Sequence, residues 1–397
     1  MKLKSLMLGV AAAATATTAQ AADLPVAPEP VDYVRICDAY GARFFYIPGT
    51  ETCLRVAGRL RTQVTVNNVL EDGDWSTRDS DGITWETRGY VRLDARTATE
   101  FGDLRTFISI SQAATNGAEA ANFDVAYIQW GGLKAGYDGS LFQHYTGQVF
   151  KGSLTRNWSD NTINQINYTA AFGNGFYAAF GLEDQDDRFN LGGTVATSGG
   201  GTLTVGEGGT RMPDFVAAIG VTQGWGAAKL SGALHQSVPN TVHNSVGFSG
   251  EDTLGWAVGA SVLFNLDMLS SGSNVFFQGF YADGALNYIG YTPVIDNIGD
   301  DTATGYSLSA GVYFQATPTI GLALDGSYAD VEAASDTVGG VVVSQADATR
   351  YAIAGSVQWA PVSGLAIGAD IGYANEDIDG AGDTDELVFG VRMQRDF

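Results

Sequence analysis

The final eleven residues, Leu387 to Phe397, constrain the fold more than any other stretch of this chain. Leu387, Phe389, Val391, Met393 and Phe397 share one parity; Val388, Gly390, Arg392, Gln394 and Asp396 share the other. A strand sends alternate side chains to opposite faces, so one face here is apolar and the other largely polar. Strands of soluble proteins also alternate in this way. The setting adds weight, because the chain closes on an aromatic and lacks the ~18 to 20 continuous apolar residues of a membrane helix. Such a terminal strand fits an outer-membrane β-barrel whose apolar face meets lipid and whose polar face meets water inside. Arg395 departs from the pattern, sitting on the apolar parity near the end. A side chain of that length snorkels to the membrane interface.

The start of the chain points to export. Lys2 and Lys4 precede a short apolar run, Leu6 to Ala14, and Ala19-Gln20-Ala21 forms a cleavage site of the A-x-A kind. Residues 1–21 are expected to be a signal peptide; as an anchoring helix the apolar part is too short to span a bilayer. Residues 22–53, with Pro25, Pro28 and Pro30, are expected to form an irregular periplasmic arm, and residues 54–397 a transmembrane barrel. Cys37 and Cys53 both lie in the arm. In an oxidising compartment a pair enclosing about fifteen residues favours a disulfide worth roughly 3 kcal/mol. A metal pair is the other reading, weakened because no His lies nearby.

The chain carries 44 acids against 21 Lys and Arg, a net charge of −23. Without Lys2 and Lys4 the balance is 44 against 19, or −25. That argues against nucleic acid as a partner. The acids gather in Glu71–Asp81, Glu183–Asp187, Asp296–Asp301, Asp330–Asp336 and Glu376–Glu386, between alternating runs, so these clusters are expected to be loops. They serve solubility, or they bind divalent cations beside lipopolysaccharide, although none has the spacing of a calcium loop.

From Leu54 onward the chain is a series of alternating runs of about ten residues. The first three are 54–66, 83–97 and 103–111. Others lie near 122–130, 133–137, 162–172, 175–183, 213–222, 225–236, 254–265, 274–283, 305–316, 319–329, 349–360, 364–375 and 386–397. The total is sixteen. Short turns at 99–102, 173–175, 223–224 and 317–318 alternate with long gaps at 184–212, 237–253, 284–304 and 330–348, as in an up-and-down antiparallel barrel. Trp130, Tyr137, Tyr168, Tyr281, Tyr313, Trp359 and Tyr373 fall at strand ends. They suit interfacial girdles, or reflect ordinary enrichment of aromatics in strands.

Two constellations carry a functional signal. Arg55, Arg59, Arg61, Arg88, Arg92, Arg96 and Arg105 share the inward parity of the first three strands, a concentration at odds with a chain so poor in positive charge. Either they form a basic pore wall that screens solutes by charge, or Glu86 and Asp94 pair with them to brace the barrel. The second is the segment Asp138 to Asn161, which carries Phe142, Tyr145, Phe150 and Trp158. An outer loop exposed to water would rarely hold so many aromatics, so this segment is expected to fold inward and narrow the lumen; an ordinary outer loop is the other reading. Its charged members are Asp138, Lys151, Arg156 and Asp160. Signals for an enzyme, a cofactor or a metal are poor. His144, His235 and His243 are the only histidines, too few to suggest a hydrolase triad. The Gly-rich stretch 192–209 lacks G-x-x-x-x-G-K-[ST] and is expected to be a loop.

The run Val31-Asp32-Tyr33-Val34-Arg35-Ile36-Cys37-Asp38-Ala39-Tyr40-Gly41, followed by Phe45-Tyr46-Ile47-Pro48-Gly49-Thr50-Glu51-Thr52-Cys53-Leu54-Arg55-Val56, closely resembles the porins of alphaproteobacteria of the Brucella and rhizobial type. Ala126 to Leu133, Gly173 to Phe176 and the terminal Phe397 are also similar to that family. The resemblance implies a sixteen-stranded homotrimer with its third loop, Asp138 to Asn161, in the lumen, facing the arginine set. It implies a general diffusion channel in the outer membrane of a Gram-negative bacterium, passing small hydrophilic solutes and ions. Expected partners are outer-membrane lipid, lipopolysaccharide and the barrel-assembly machinery. A substrate-selective channel and a secreted all-β adhesin are the rival readings. Ion preference does not follow, because Lys151 and Arg156 offset Asp138 and Asp160.

Overall fold

The structure, a computed structural model, describes residues 35–70, 73–78, 80–188, 194–198, 200, 202–204, 210–237, 253–338 and 341–397. The expected signal peptide lies outside the described residues, as do residues 22–34 of the arm, Glu71, His243 and parts of the stretch 192–209. Two compact units are present, Met1–Cys53 and Leu54–Phe397.

In the first unit, Cys37 and Cys53 form a disulfide with Cα atoms 6.0 Å apart. Both cysteines and Phe44 are buried, with Tyr40 packed on Phe44 at 5.9 Å between ring centroids. A core this small cannot hold a loop unaided, and the cross-link acts by restricting the unfolded chain.

The second unit is a closed antiparallel barrel. Its strands are β1 (Cys53–Val66), β2 (Ile83–Thr99), β3 (Gly102–Thr115), β4 (Ala118–Trp130), β5 (Leu133–Gly139), β6 (Thr162–Gly173), β7 (Phe176–Glu183) and β8 (Asp214–Gln223). They continue as β9 (Gly226–Ser237), β10 (Thr253–Asn265), β11 (Asn274–Asp283), β12 (Thr304–Thr317), β13 (Ile320–Glu332), β14 (Ala348–Val362), β15 (Leu365–Ile378) and β16 (Gly382–Asp396). Each pairs with the next, and β1 pairs with β16, so the barrel closes on itself. Among the described residues no helix is long and apolar enough to cross a membrane.

All sixteen strands expected from the alternation are present. The differences lie at the loop ends opposite the short turns. β3 and β4 run on past Ser111 to a tight turn at Asn116-Gly117, where both residues have positive φ (47° and 85°), as a two-residue hairpin of this twist requires. The acidic cluster Glu376–Glu386 is not a loop: it is the end of β15, the start of β16 and a short turn. Asp330 and Glu332 likewise lie on β13. These strand ends continue beyond the apolar band. Water reaches both faces there, so the pairing persists while the alternation disappears.

The outer face of the barrel is apolar and exposed, with Ile166, Phe180, Ile219, Leu230, Leu308 and Ile371 among its members. A belt of rings crosses neighbouring strands near one rim, through the pairs Trp256–Tyr281, Tyr306–Tyr328 and Tyr351–Tyr373. Toward the other rim lie Phe101, Trp130, Phe172, Phe176, Trp225, Phe264 and Trp359. Two aromatic bands flanking an aliphatic zone are the pattern of a bilayer-spanning barrel.

Closure is sealed at the last residue. Phe397 and Gly58 exchange backbone hydrogen bonds of 3.0 Å in both directions. The Phe397 ring covers Gly58 so closely that an added Cβ would lie 2.3 Å from the ring's Cζ. On the inner side, Arg59 Nε donates to Asp396 Oδ1 at 2.6 Å. Arg395, the misfit on the apolar parity, donates to the Ser363 carbonyl at 2.6 Å, satisfied at the barrel's end.

Candidate functional site

β5 stops at Gly139 and β6 starts at Thr162, and the segment between them lies along the inner wall. Its fastenings run strand by strand. Glu183 of β7 accepts from Ser140 Oγ (2.7 Å) and the Leu141 N–H (2.6 Å). On β9, Lys229 Nζ donates to the Gln143 carbonyl at 2.5 Å. His144 sits between Ser231 and Ser261, at 2.7 and 2.5 Å. Gln278 of β11 bonds both the N–H and the carbonyl of Tyr145. Asp325 of β13 accepts the N–H groups of Gln148 (2.7 Å) and Val149 (2.8 Å). Ser356 accepts the Phe150 N–H, and Asp370 accepts the Ser153 N–H and hydroxyl. Arg392 of β16 donates to the carbonyls of Phe150 and Lys151 at 2.9 and 3.1 Å.

Every one of these partners stands on its strand's polar parity, so the loop covers the inner wall from β7 round to β16. Phe142 and Trp158 are buried by that contact, and Tyr145 and Phe150 half-buried. Phe142 packs against Phe280 and Tyr288, and Tyr145 and Trp158 against Phe276. An irregular segment inside a barrel must satisfy its own backbone, and the inward Ser, Gln, Asp and Arg side chains supply that need. Burial lowers the pKa of Lys151 and Arg156 and raises that of Asp160. Burial also lowers His144 to about 3, so its imidazole is neutral.

The wall left uncovered, β1 to β3, bears the arginines. Glu86 accepts from Arg88 Nη2 at 3.0 Å and lies 3.9 Å from Arg61. Asp94 is gripped twice: Arg96 and Arg105 each bond both of its oxygens, at 2.8 to 3.0 Å. Arg61 and Arg92 both lie over the Tyr90 ring, 5.0 and 5.5 Å from its centroid. The bracing role expected of Glu86 and Asp94 is thus present as contacts. It does not exhaust the positive charge, because each of these two carboxylates is shared by two guanidiniums. Arg55 is exposed near the start of β1.

On the loop side the candidate residues divide. Lys134 Nζ holds Asp138 at 2.7 Å. Arg156 is buried beside Asp325 at 3.5 Å, with its guanidinium over the Trp158 ring. Asp160 accepts from Gln143 Nε2. Lys151 donates to Ser153 Oγ at 2.7 Å near the loop's tip. Arg392, Asp325 and Asp370, which organise the loop, were not singled out from the sequence as site residues. Their signal is a lone charge among small inward-facing neighbours, Ala323 and Ser327 about Asp325 and Gly368 and Gly372 about Asp370.

A buried polar cluster closes the loop's far end. His235 Nδ1 lies 2.9 Å from Asp214, and Tyr288 donates to the same carboxylate at 2.6 Å. Arg188 lies over the Tyr288 ring at 4.0 Å and bonds Ser159 Oγ at 3.0 Å. His235 stands at inward parity on β9 and is walled in rather than lining open space. Among the described residues no His, Cys, Asp or Glu group is arranged to hold a metal ion.

Comparison with known proteins sets this geometry in a family. The family model described as porin subfamily matches residues 23–391. Porin Omp2b of Brucella suis is 41% identical over 251 residues, an alignment that takes in 57% of this chain and 64% of that protein. The chain therefore spans less than two thirds of that relative's length. Among solved structures, the outer membrane channel DcaP of Acinetobacter baumannii superposes with a TM-score of 0.65 at 14% identity, covering 89% of this chain and 99% of that one. The trimer form of OmpT, an outer membrane protein of Vibrio cholerae, does so with a TM-score of 0.51 at 11% identity, covering 88% and 100%. These two likenesses are of fold alone, whereas the family match extends over nearly the whole sequence: the chain belongs to the porin subfamily.

Proposed function

We propose that the chain forms a passive aqueous channel across the outer membrane of a Gram-negative bacterium, through which small hydrophilic solutes and ions diffuse. The observation that carries this reading is the contrast between the two faces of one closed barrel. Leu, Ile, Val and Phe point outward, whereas the uncovered inner wall presents guanidiniums and carboxylates that need water. Sixteen strands enclose a lumen wide enough for an aqueous channel. The inward loop takes up one side of that lumen and sets the size limit; the basic wall of β1 to β3 lines the other. We assign the pore wall to Arg59, Arg61, Arg88, Arg92, Arg96 and Arg105. Residues 1–21 direct export as a signal peptide, and the cross-linked arm is periplasmic. A homotrimer is the assembly we favour, in keeping with OmpT, which has been solved in a trimer form. Outer-membrane lipid and lipopolysaccharide surround the barrel, and the barrel-assembly machinery inserts it.

Reconstitution of detergent-folded protein in a planar bilayer tests this. The expected record is single-channel steps of nanosiemens order, closing in threes, nearly linear in salt concentration. Folded protein that gives no conductance would overturn the channel in favour of a plugged barrel or an adhesin.

A further inference from the structure

The charges at the tip of the inward loop run opposite to those of the whole chain. Two acids of the wall beneath the loop, Asp325 and Asp370, face inward but are covered by the loop and taken up by its own groups. Asp325 is fully buried and accepts the Gln148 and Val149 N–H groups, with Arg156 as its counter-charge. Asp370 is also buried, occupied by Ser153. What remains at the tip is Lys151, whose ammonium bonds Ser153 Oγ at 2.7 Å and has Asp370, Arg392, Arg61 and Glu86 as charged neighbours. A cavity of about 690 Å³ has Arg59, Arg61, Arg392, Asp396 and Phe150 in its lining, together with residues of the turn between β14 and β15.

The adjoining wall adds to this surplus. Glu86 and Asp94 each answer two arginines, so each trio carries one net positive charge. Arg92 has no carboxylate within 4.0 Å among the described residues and rests on Tyr90 instead. Rows of like charge in a passage with low-dielectric walls focus the field and concentrate the opposite ion. The acids that make the chain −23 overall lie mostly toward the outer ends of the strands and beyond. At 0.1 M salt they are screened over about 10 Å.

We propose that this passage selects anions. Lys151 and Arg392 at the loop tip and Arg61 and Arg92 on the adjoining wall of β1 and β2 form a basic track that takes small inorganic and carboxylate anions, despite the acidic character of the chain. The proposal rests on the channel reading above and narrows it to a solute class.

The test is the zero-current potential of the reconstituted wild-type channel across a potassium chloride gradient. Chloride is expected to be favoured over potassium several-fold at 0.1 M, and less so at 1 M, where the screening length falls to about 3 Å. Lys151→Gln combined with Arg92→Gln removes two cations that neither tie the loop to a strand nor pair with a carboxylate within 4.0 Å among the described residues, and glutamine keeps a donor for Ser153. This pair is expected to bring the permeability ratio toward unity while conductance persists. An open wild-type channel that favours potassium would overturn the anion track and leave the channel reading intact. A ratio unmoved by the double substitution would overturn it equally. Absence of conductance from folded protein would remove both readings together.

Discussion

His144 shows how one buried residue makes the inward loop sensitive to acid. Its two ring nitrogens are taken by Ser231 and Ser261, and burial holds its pKa at about 3 against an ordinary 6.5. Above pH 6.5 the imidazole is neutral in folded and unfolded chains alike and contributes nothing to pH dependence. Between 6.5 and about 3 the unfolded chain takes up a proton that the folded chain refuses. Stability therefore falls as pH falls, by about 1.4 kcal/mol per unit. At pH 5 the loss attributable to this group is about 2 kcal/mol. His144→Gln keeps a hydrogen-bonding side chain and cannot titrate. Thermal unfolding of both proteins at pH 7.5 and pH 5 should show the wild type losing more stability than the variant. Equal losses would mean that His144 is protonated in the folded state.

At the scale of elements, the inward loop is held less by its own sequence than by single polar residues on distant strands. Asp325 is the chief of these. Its carboxylate takes the Gln148 and Val149 N–H groups, residues 177 and 176 positions away along the chain. Asp325→Ala strands two buried N–H groups and the Arg156 charge, at a cost of about 1 to 3 kcal/mol for each unsatisfied group. The loop should detach from β13 while the barrel persists. Single-channel records should then show larger mean conductance and more open-channel noise, whereas a quiet channel of wild-type size would show that Asp325 is not an anchor. This separation in sequence also explains what could be foreseen. The strands were legible because lipid and water impose a strict period of two on every run. The inward course of the loop was legible from its aromatics, which water would not tolerate. The anchors were not, since Asp325 and Asp370 become meaningful only once strands 170 or more residues away bring them under the loop. The ends of β3, β15 and β16 escaped because past the apolar band nothing forces the faces to differ.

At the scale of the whole molecule, one seam converts a row of hairpins into a closed wall. Fifteen of the sixteen junctions join strands adjacent in sequence; the sixteenth joins β1 to β16 and brings Gly58 to Phe397. Until it forms, β1 and β16 both expose unpaired backbone, which is costly in lipid. The ring of Phe397 lies over Gly58, leaving no room for a side chain there. Gly58→Val drives two methyl groups into that ring and prises apart the paired backbone hydrogen bonds. A loss of about 1 to 3 kcal/mol is expected, as for other overpacked sites. Phe397→Ala alone should also cost stability, since the ring's packing at the seam is lost. Together the two substitutions should cost less than the sum of their separate effects, because the valine then fills space that the ring has vacated. Contacting residues couple in this way, whereas independent ones add. The temperature at which the folded form loses its compact mobility in detergent gels gives all four values of the cycle. Strict additivity would mean that Gly58 and Phe397 do not meet, and that closure rests on the backbone ladder and the Arg59–Asp396 pair alone.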